Sequence, residues 1–433
     1  MSAGDADRVV SVGGLGRVEG EGSLHVEVRD GRVRNVALRI FEPPRFFEAL
    51  LRGRRGEEAP DITARVCGIC PVAYQMSACA AIETACGIEV GERVTALRRL
   101  LYCGEWIQSH ALHIHLLHAP DFFGCHDGVE LAQLQPAAVE RGLGLKRTGN
   151  LIMETVGGRA IHPVNVRVGG FYRAPAPGEL AALAEPLRRA REAALETVAW
   201  VAGFEFPDVE RDYLFVALRH PDHYPLEAGR VGSSGGLDAT PAAFGDLVQE
   251  QQVARSTALH ARLGGRDPYL TGPLARYALN AAVLPEIARQ AAAAAGLPPL
   301  VRNPFRSIVV RAVELVFACD EAMRLVAAYE PPEPAAVAAQ LGAGQGAGAT
   351  EAPRGVLLHQ YELDAGGLIR KARILPPTSQ NQLAIEDDLG AVVQAGLDLP
   401  DPELTARCEQ AVRNHDPCIS CSAHFLDLSL DRR

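Results

Sequence analysis

Hydrophobic and polar positions divide this chain into a short extended opening, a long helical middle and an extended close. Residues 10–41 read as strands: Ser23 to Arg29 alternates, Asp30-Gly31 signals a turn, and Val33 to Ile40 resumes the two-residue period. From about Glu48 the period lengthens. Leu97, Leu100, Leu101, Gly104, Ile107, Ala111 and Ile114 recur at three and four residues, which predicts one face of a long helix. Glu179 to Ala202 predicts another, with Leu180, Leu183, Leu187, Ala190 and Ala194 on one side, and with Pro186 either bending it or setting its start. Pro241–Leu263, Ala275–Ala295 and Arg306–Tyr329 read as further helices. The clearest break is Pro331 to Thr350, rich in Pro, Gly and Ala. There Ala335–Leu341 allows one short helix and the rest reads as loop. Gly355–Tyr361 and Gly367–Leu375 then read as a strand pair before Pro376-Pro377. No internal repeat stands out. The pattern predicts a helix-rich α+β fold with a central long-helix bundle and small peripheral β-sheets.

Composition adds limits. The chain has 433 residues and a formal net charge of −10, and 48% of its residues are hydrophobic, ordinary globular usage that rules out wholesale disorder. An acidic balance argues against non-specific nucleic-acid binding. Lys146 and Lys371 are its only lysines, so no Lys-rich tract exists. The most apolar stretch, Ser307 to Ala328, is broken by Arg311, Glu314, Asp320, Glu321 and Arg324, which argues against membrane insertion. Met1 to Arg8 is acidic and lacks the apolar core of a secretion signal, so the expected location is cytoplasmic.

The ten cysteines change the picture most. Two pairs have CxxC spacing: Arg65-Val-Cys67-Gly-Ile-Cys70-Pro71 near the start, and Asp416-Pro-Cys418-Ile-Ser-Cys421-Ser-Ala-His424 near the end. In a large chain without a secretion signal this spacing favours metal or redox chemistry over structural disulfides. Four thiolates converging on one point would bind a soft or borderline metal. A structural zinc site and two unrelated pairs are the plainer readings, although zinc ribbons usually place their second pair ~15–20 residues after the first. If the pairs share one site, the two ends of the chain must meet. Residues 1–433 are accordingly read as one domain: an N-terminal β segment 10–41, a helical core 48–330, a linker 331–350, and a C-terminal β segment with a metal-binding tail, 351–433.

These motifs resemble the large, catalytic subunit of nickel–iron hydrogenases. RxCGxC and DPCxxCxxH are that family's paired signatures. Arg17-Val-Glu19-Gly20 resembles its RxEG, Ser109-His110 through Asp121 a family helix, and Gly158-Arg159 through Gly170 its GRxxHPxNxxxGG stretch. Ala352-Pro353-Arg354-Gly355 matches APRG, and Pro377-Thr378 through Asn381 matches PTxxN. The resemblance implies reversible heterolytic cleavage of dihydrogen at a nickel–iron centre whose iron carries carbon monoxide and cyanide. Cys67, Cys70, Cys418 and Cys421 would bind nickel, with Cys70 and Cys421 also bridging to iron. Glu19 would relay the proton from Cys418. Arg354 would face the metals, with Asp121 fixing its direction. Glu48, His424 and a backbone carbonyl near Gln382 would hold magnesium. His110, His113, His115 and His118 are expected to serve packing and hydrogen bonding.

Tyr74 stands where many family members carry His. With Ser233–Leu237 (SSGGL) and Gly272–Arg276 (GPLAR), it looks like the soluble branch that couples hydrogen to nicotinamide nucleotides or sulfur. The six other cysteines form no ferredoxin-like run. Gly13-Gly14-Leu15-Gly16 precedes strand rather than helix, so it is not a nucleotide fingerprint. The implied partners are an iron–sulfur small subunit, further iron–sulfur and flavin or NAD(P) subunits, and a maturation protease acting after His424. Two alternatives remain at this point: a non-catalytic relative lining a quinone cavity in respiratory complex I, and a zinc-stapled scaffold protein.

Overall fold

The computed structural model describes residues 7–265 and 268–423. The opening is an antiparallel meander of β1 (Arg8–Val12), β2 (Gly22–Arg29) and β3 (Arg32–Ile40). The β2–β3 turn is Asp30-Gly31, both at positive φ (52° and 66°), as a two-residue hairpin of this hand requires. A short helix, α1 (Phe47–Leu51), leads through one-turn segments to α2 (Pro71–Cys86).

The helical centre is built from α3 (Glu92–Leu112), α4 (Pro136–Gly157), α5 (Ala184–Ala202) and α6 (Ser307–Ala327). The expected α3 face (Leu97, Leu100, Leu101, Ile107, Ala111) is buried. Gly104 and Gly149 let α3 and α4 approach at backbone distance, since a Cβ on Gly104 would lie 3.0 Å from the Gly149 carbonyl oxygen. Past Leu112 the helix widens to a π segment over His113–His118, which turns three histidines inward beside the buried His110 of α3. They serve as packing and hydrogen-bonding groups. His113 Nε2 lies 2.9 Å from the Arg413 carbonyl oxygen, His115 Nε2 lies 3.2 Å from Thr197 Oγ1, and His110 Nε2 lies 3.1 Å from Glu314.

The charges that interrupt the apolar run of α6 are partly internal. Arg311 and Glu314 are buried, and Glu314 pairs with Arg276 at 2.7 Å. Among the described residues no helix is long and apolar enough to cross a membrane.

A second meander follows: β4 (Gly344–Ala352), β5 (Gly355–Leu363) and β6 (Ile369–Leu375). It corrects two expectations. The Gly/Ala run was expected to be loop, yet from Gly344 it is a strand. Its alternate glycines 344, 346 and 348 lie against Ala85, Ala81 and Ser77, one stripe of α2, so closely that any Cβ would overlap the helix backbone. Low side-chain volume therefore serves a strand–helix contact and not a flexible link. Ala335–Leu341 forms no helix.

Three expected helices are interrupted. Pro241–Leu263 is helical only over Pro241–Leu247. There the Arg373 guanidinium takes the Gly245 and Val248 carbonyls, and a hairpin of Val248–Gln251 with His260–Leu263 follows. Ala275–Ala295 breaks at Leu284-Pro285, because Pro285 cannot donate. Glu179–Ala202 breaks at Leu183, and Pro186 sits in the first turn of α5. A four-stranded sheet containing Leu214–Arg219 and Arg230–Ser233, and a short pair of Val166–Arg167 with Gly170–Phe171, complete the strands among the described residues. Finally α7 (Pro377–Ala395) and α8 (Asp401–Asn414) carry the chain back to the β1–β3 meander. The architecture is the expected helix-rich α+β, with small separate sheets around long helices.

Two outcomes follow from this packing. Gly348→Val is expected to destabilise the protein by about 3 kcal/mol through overpacking, read by urea unfolding; an unchanged midpoint would contradict the tight β4–α2 contact. Burial pushes His110 down to about 4 and His115 to about 3 from 6.5. A depressed folded-state pKa on histidine means that the unfolded chain binds more protons below pH 6.5, so stability falls as acid is added. The urea midpoint is expected to drop between pH 7 and pH 5. A flat profile would mean that these rings are not held neutral.

Candidate metal centre

Each cysteine pair sits where a helix begins. Cys67 ends a one-turn segment in extended conformation, and Cys70 immediately precedes Pro71, the first residue of α2. The Ile69 and Cys70 N–H groups both donate to Cys67 Sγ at 3.3 Å. Cys418 precedes the closing turn Ile419–Ser422, and its N–H donates to Thr378 Oγ1 at 2.9 Å. Cys67 Sγ and Cys418 Sγ are 3.5 Å apart, and Cys70 Sγ and Cys421 Sγ are 3.9 Å apart. All four sulfurs lie within 4.8 Å of one another and are buried. The two ends of the chain therefore meet.

The electrostatics fit a metal. Hydrogen bonds from Cys418, then Cys421 and Cys70, pull the Cys67 thiol well below its usual range. Cys70 is held well above it, first by its hydrogen bond with Cys418; burial does the same for Cys418 and Cys421. One sulfur ionises readily, and three more cannot follow in so dry a place without a cation among them. A metal with thiolate preference supplies that charge.

Glu19 stands beside the quartet. It forms a parallel β-bridge with Cys418, its carbonyl accepts from Ile419 N–H at 2.9 Å, and its Oε2 is 3.2 Å from Cys418 Sγ. Arg354 is buried at the β4–β5 turn and donates to the Asp416 carbonyl at 2.9 Å and to Asp416 Oδ1 at 3.0 Å. Burial opposes its charge, but Asp416 and the sulfurs of Cys418, Cys70 and Cys67 outweigh that and hold it protonated. Its Nη1 has no hydrogen-bond partner among the described residues, a buried donor left for something the site would hold.

Asp121 does not fix Arg354, contrary to expectation. It is clamped by Arg17 and by Arg413, the latter through two 2.8 Å contacts. Asp121 lies in the short helix Ala119–Phe122, and its carboxylate anchors Arg17, two residues before Glu19. The residue holding Arg354 is Asp416, in a left-handed conformation (φ 51°) two positions before Cys418. Its place in the DPC motif was the available signal.

The sequence reading missed other supports. Glu105 Oε2 and Oε1 accept the Val72 and Ala73 N–H groups at 2.6 and 3.1 Å, which caps the start of α2 beside Cys70. Arg276 donates to the Ala352 and Pro353 carbonyls at 3.0 and 2.9 Å, just before Arg354. A Cβ on Gly272 would lie 2.7 Å from the Arg354 carbonyl, so both ends of the GPLAR segment shape that turn.

The expected magnesium ligands are less assembled. Glu48 on α1 accepts from Ile374 N–H at 2.6 Å; burial pushes its carboxyl up to about 8, and Glu250 adds to this. A cation beside it would restore the charged form. Gln382 is buried on α7, and His424 lies outside the described residues. Tyr74 is buried with its ring edge-on to His359, 5.6 Å between centroids, near enough to Cys421 and Cys70 for their charge to raise its pKa after burial has done so.

Residues 45–142 match the family model for nickel-dependent hydrogenase. Sulfhydrogenase 1 subunit alpha of Pyrococcus furiosus is 32% identical over 97% of this chain and 98% of its own length. The chain belongs to the nickel-dependent hydrogenase large-subunit family. Sulfhydrogenase 2 subunit alpha of the same organism is 34% identical, covering 95% of this chain and 98% of its own. The structure of an NAD+-reducing NiFe-hydrogenase in its H2-reduced state superposes with a TM-score of 0.85 at 26% identity, covering 96% of this chain and 99% of that one. The protein is thus an oxidoreductase of the hydrogenase family. The complex I and zinc-scaffold alternatives fall away.

A double-mutant cycle tests which acid holds Arg354. Arg354→Lys combined with Asp416→Asn is expected to show a coupling of about 1.5 kcal/mol or more in thermal unfolding, and combined with Asp121→Asn to be additive within about 0.5 kcal/mol. Coupling to Asp121 alone would overturn the assignment.

Proposed function

We propose that this chain is the catalytic subunit of a hydrogenase that splits and forms dihydrogen reversibly. The observation that carries the reading is the buried four-sulfur cluster with a carboxylate on one sulfur and a fixed guanidinium beside the others. Cys67, Cys70, Cys418 and Cys421 would hold the nickel–iron centre, whose iron would carry carbon monoxide and cyanide. When bound, this pair of metals supplies the Lewis acidity for heterolytic cleavage of dihydrogen.

The protein residues do the rest. Cys418 Sγ takes the proton and passes it 3.2 Å to Glu19 Oε2, within hydrogen-bond reach as proton transfer to a positioned carboxylate demands. Arg354 keeps a permanent positive charge beside the cluster, aimed by Asp416 and the backbone held by Arg276. Burial of all four cysteines excludes bulk water. Glu48, a backbone carbonyl near Gln382 and His424 would hold magnesium, a hard cation suited to oxygen ligands.

Electrons leave to an iron–sulfur small subunit. A partner of that kind is supported by an exposed apolar face close to the first cysteine pair: Ile161, Val164 and Tyr172 are 58%, 47% and 65% exposed, and His162 Nδ1 is 2.7 Å from the Ala64 carbonyl, three residues before Cys67. From there electrons pass to an acceptor such as NAD(P) or sulfur through flavin and iron–sulfur subunits in the cytoplasm. A maturation protease removes the residues after His424.

The test is the purified complex under hydrogen. Dye reduction, nickel and iron in the chain, and infrared bands of metal-bound carbon monoxide and cyanide are expected together, and Cys70→Ser is expected to abolish all three. Hydrogen-dependent dye reduction by the Cys70→Ser complex would overturn the reading.

A further inference from the structure

Asp416 aims Arg354, and Asp416 is itself faced from its other side. Arg354 Nη2 donates to Asp416 Oδ1 at 3.0 Å. Arg311 Nη1, in the second turn of α6, stands 3.5 Å from Asp416 Oδ2 and 3.4 Å from the Pro353 carbonyl oxygen. The carboxylate thus lies between two buried guanidiniums. The contacts of Nη1 are long, and Arg311 Nε has no hydrogen-bond partner among the described residues. A buried donor left unspent calls for a partner, and until it has one the plane of the Arg311 guanidinium is poorly fixed.

Arg311 lines a small cavity between the start of α6 and the end of α8, together with the polar residues Thr271, Ser307, Asn414 and His415. Three of these are already engaged. Ser307 Oγ donates to the Asn414 carbonyl at 2.8 Å, Thr271 Oγ1 accepts from Val356 N–H at 2.9 Å, and His415 Nε2 lies 2.9 Å from Asp388 Oδ2. The Asn414 side chain is not engaged: neither Oδ1 nor Nδ2 has a hydrogen-bond partner among the described residues. Arg311 and Asn414 are only 1% and 2% exposed, so bulk solvent does not serve them. The cavity measures about 10 Å³ for the centre of a water-sized sphere. A buried water needs about that much room and two to four polar partners.

Charge selects the occupant. The guanidiniums of Arg276, Arg311 and Arg354 are matched by the carboxylates of Glu314, Glu351 and Asp416, so the site calls for no further ion. The free atoms of Arg311 and Asn414 are two donors and one acceptor, which suits a molecule that both accepts and donates. We propose that this cavity binds one water molecule joining Arg311 Nε to the Asn414 side-chain amide, and that Arg311, fixed in this way, is a positioning residue for Asp416 and through it for Arg354. This rests on the reading of Arg354 as the fixed positive charge beside the metals. Arg311 and Asn414 act on that charge only through Asp416.

A crystal structure of the metal-loaded complex grown with bromide identifies the occupant. The expected result is one water within about 3.2 Å of both Arg311 Nε and an Asn414 amide atom, with no anomalous bromide signal there. Bromide in the cavity, or Arg311 Nε bonded to protein with no water beside it, would overturn the proposal. The positioning role is tested in the same complex at matched nickel and iron content. Asn414→Leu removes both amide atoms at nearly constant volume, and Arg311→Lys keeps the charge but loses Nε and the planar fork. Each is expected to lower dihydrogen oxidation about 10-fold, part of the ~100-fold that a misplacement of about 1 Å costs. In an Arg354→Lys background neither is expected to lower it further. A merely structural role would lower both backgrounds by the same factor.

Wild-type turnover in both Asn414→Leu and Arg311→Lys, or equal losses with and without Arg354→Lys, would overturn the positioning role and leave Arg354 standing. Wild-type turnover of Arg354→Lys itself would overturn the reading of Arg354 on which the inference rests. If Arg311→Lys fails to take up metal, Asn414→Leu, which leaves every buried charge in place, decides the matter alone.

Discussion

Four cysteine sulfurs buried within 4.8 Å of one another are the constraint on which the rest of this structure depends. Such a cluster is unstable as four thiolates and inert as four thiols. It makes physical sense only around positive charge, and the protein arranges its scaffold so that the sulfurs stay in place for it. The first pair is fixed by the start of α2, whose free N–H groups go to Glu105. The second pair is fixed by Thr378 at the Cys418 N–H and by the bridge to Glu19. Neither pair could hold its position alone, because the supports come from α3, α7 and the β1–β2 loop.

A second layer of buried charge sets the guanidinium beside the sulfurs. Arg276 lies 4.4 Å from the Trp106 ring centre, pairs with Glu314 and Glu351, and spends its remaining donors on the carbonyls before Arg354. Removing one member of such a buried set leaves an unpaired charge, which costs about 3–5 kcal/mol. This explains two of the charges that interrupt the apolar run of α6. Arg311 and Glu314 are interior supports of the Arg354 turn, not surface punctuation.

The sequence made the cluster and the fold class readable because both are written in local signals. CxxC spacing is short-range, and the β2–β3 hairpin and the α3 stripe are periodicities within one element. What was not readable depended on contacts between distant segments. The strand Gly344–Ala352 looks like linker because its glycines are selected by the surface of α2, which lies far away in the chain. The end of the helix at Leu247 is imposed by Arg373 from β6. Asp121 and Asp416 both precede or follow recognisable motifs, and only three-dimensional placement shows that the first holds Arg17 and Arg413 while the second holds Arg354.

The most direct measurement of the central claim is X-ray absorption at the nickel edge of the purified complex. Nickel in a shell of sulfur ligands with an iron neighbour in the next shell, both lost in Cys421→Ser, is the expected result. A chain that carries zinc in place of nickel, or nickel without an iron neighbour, would contradict the account.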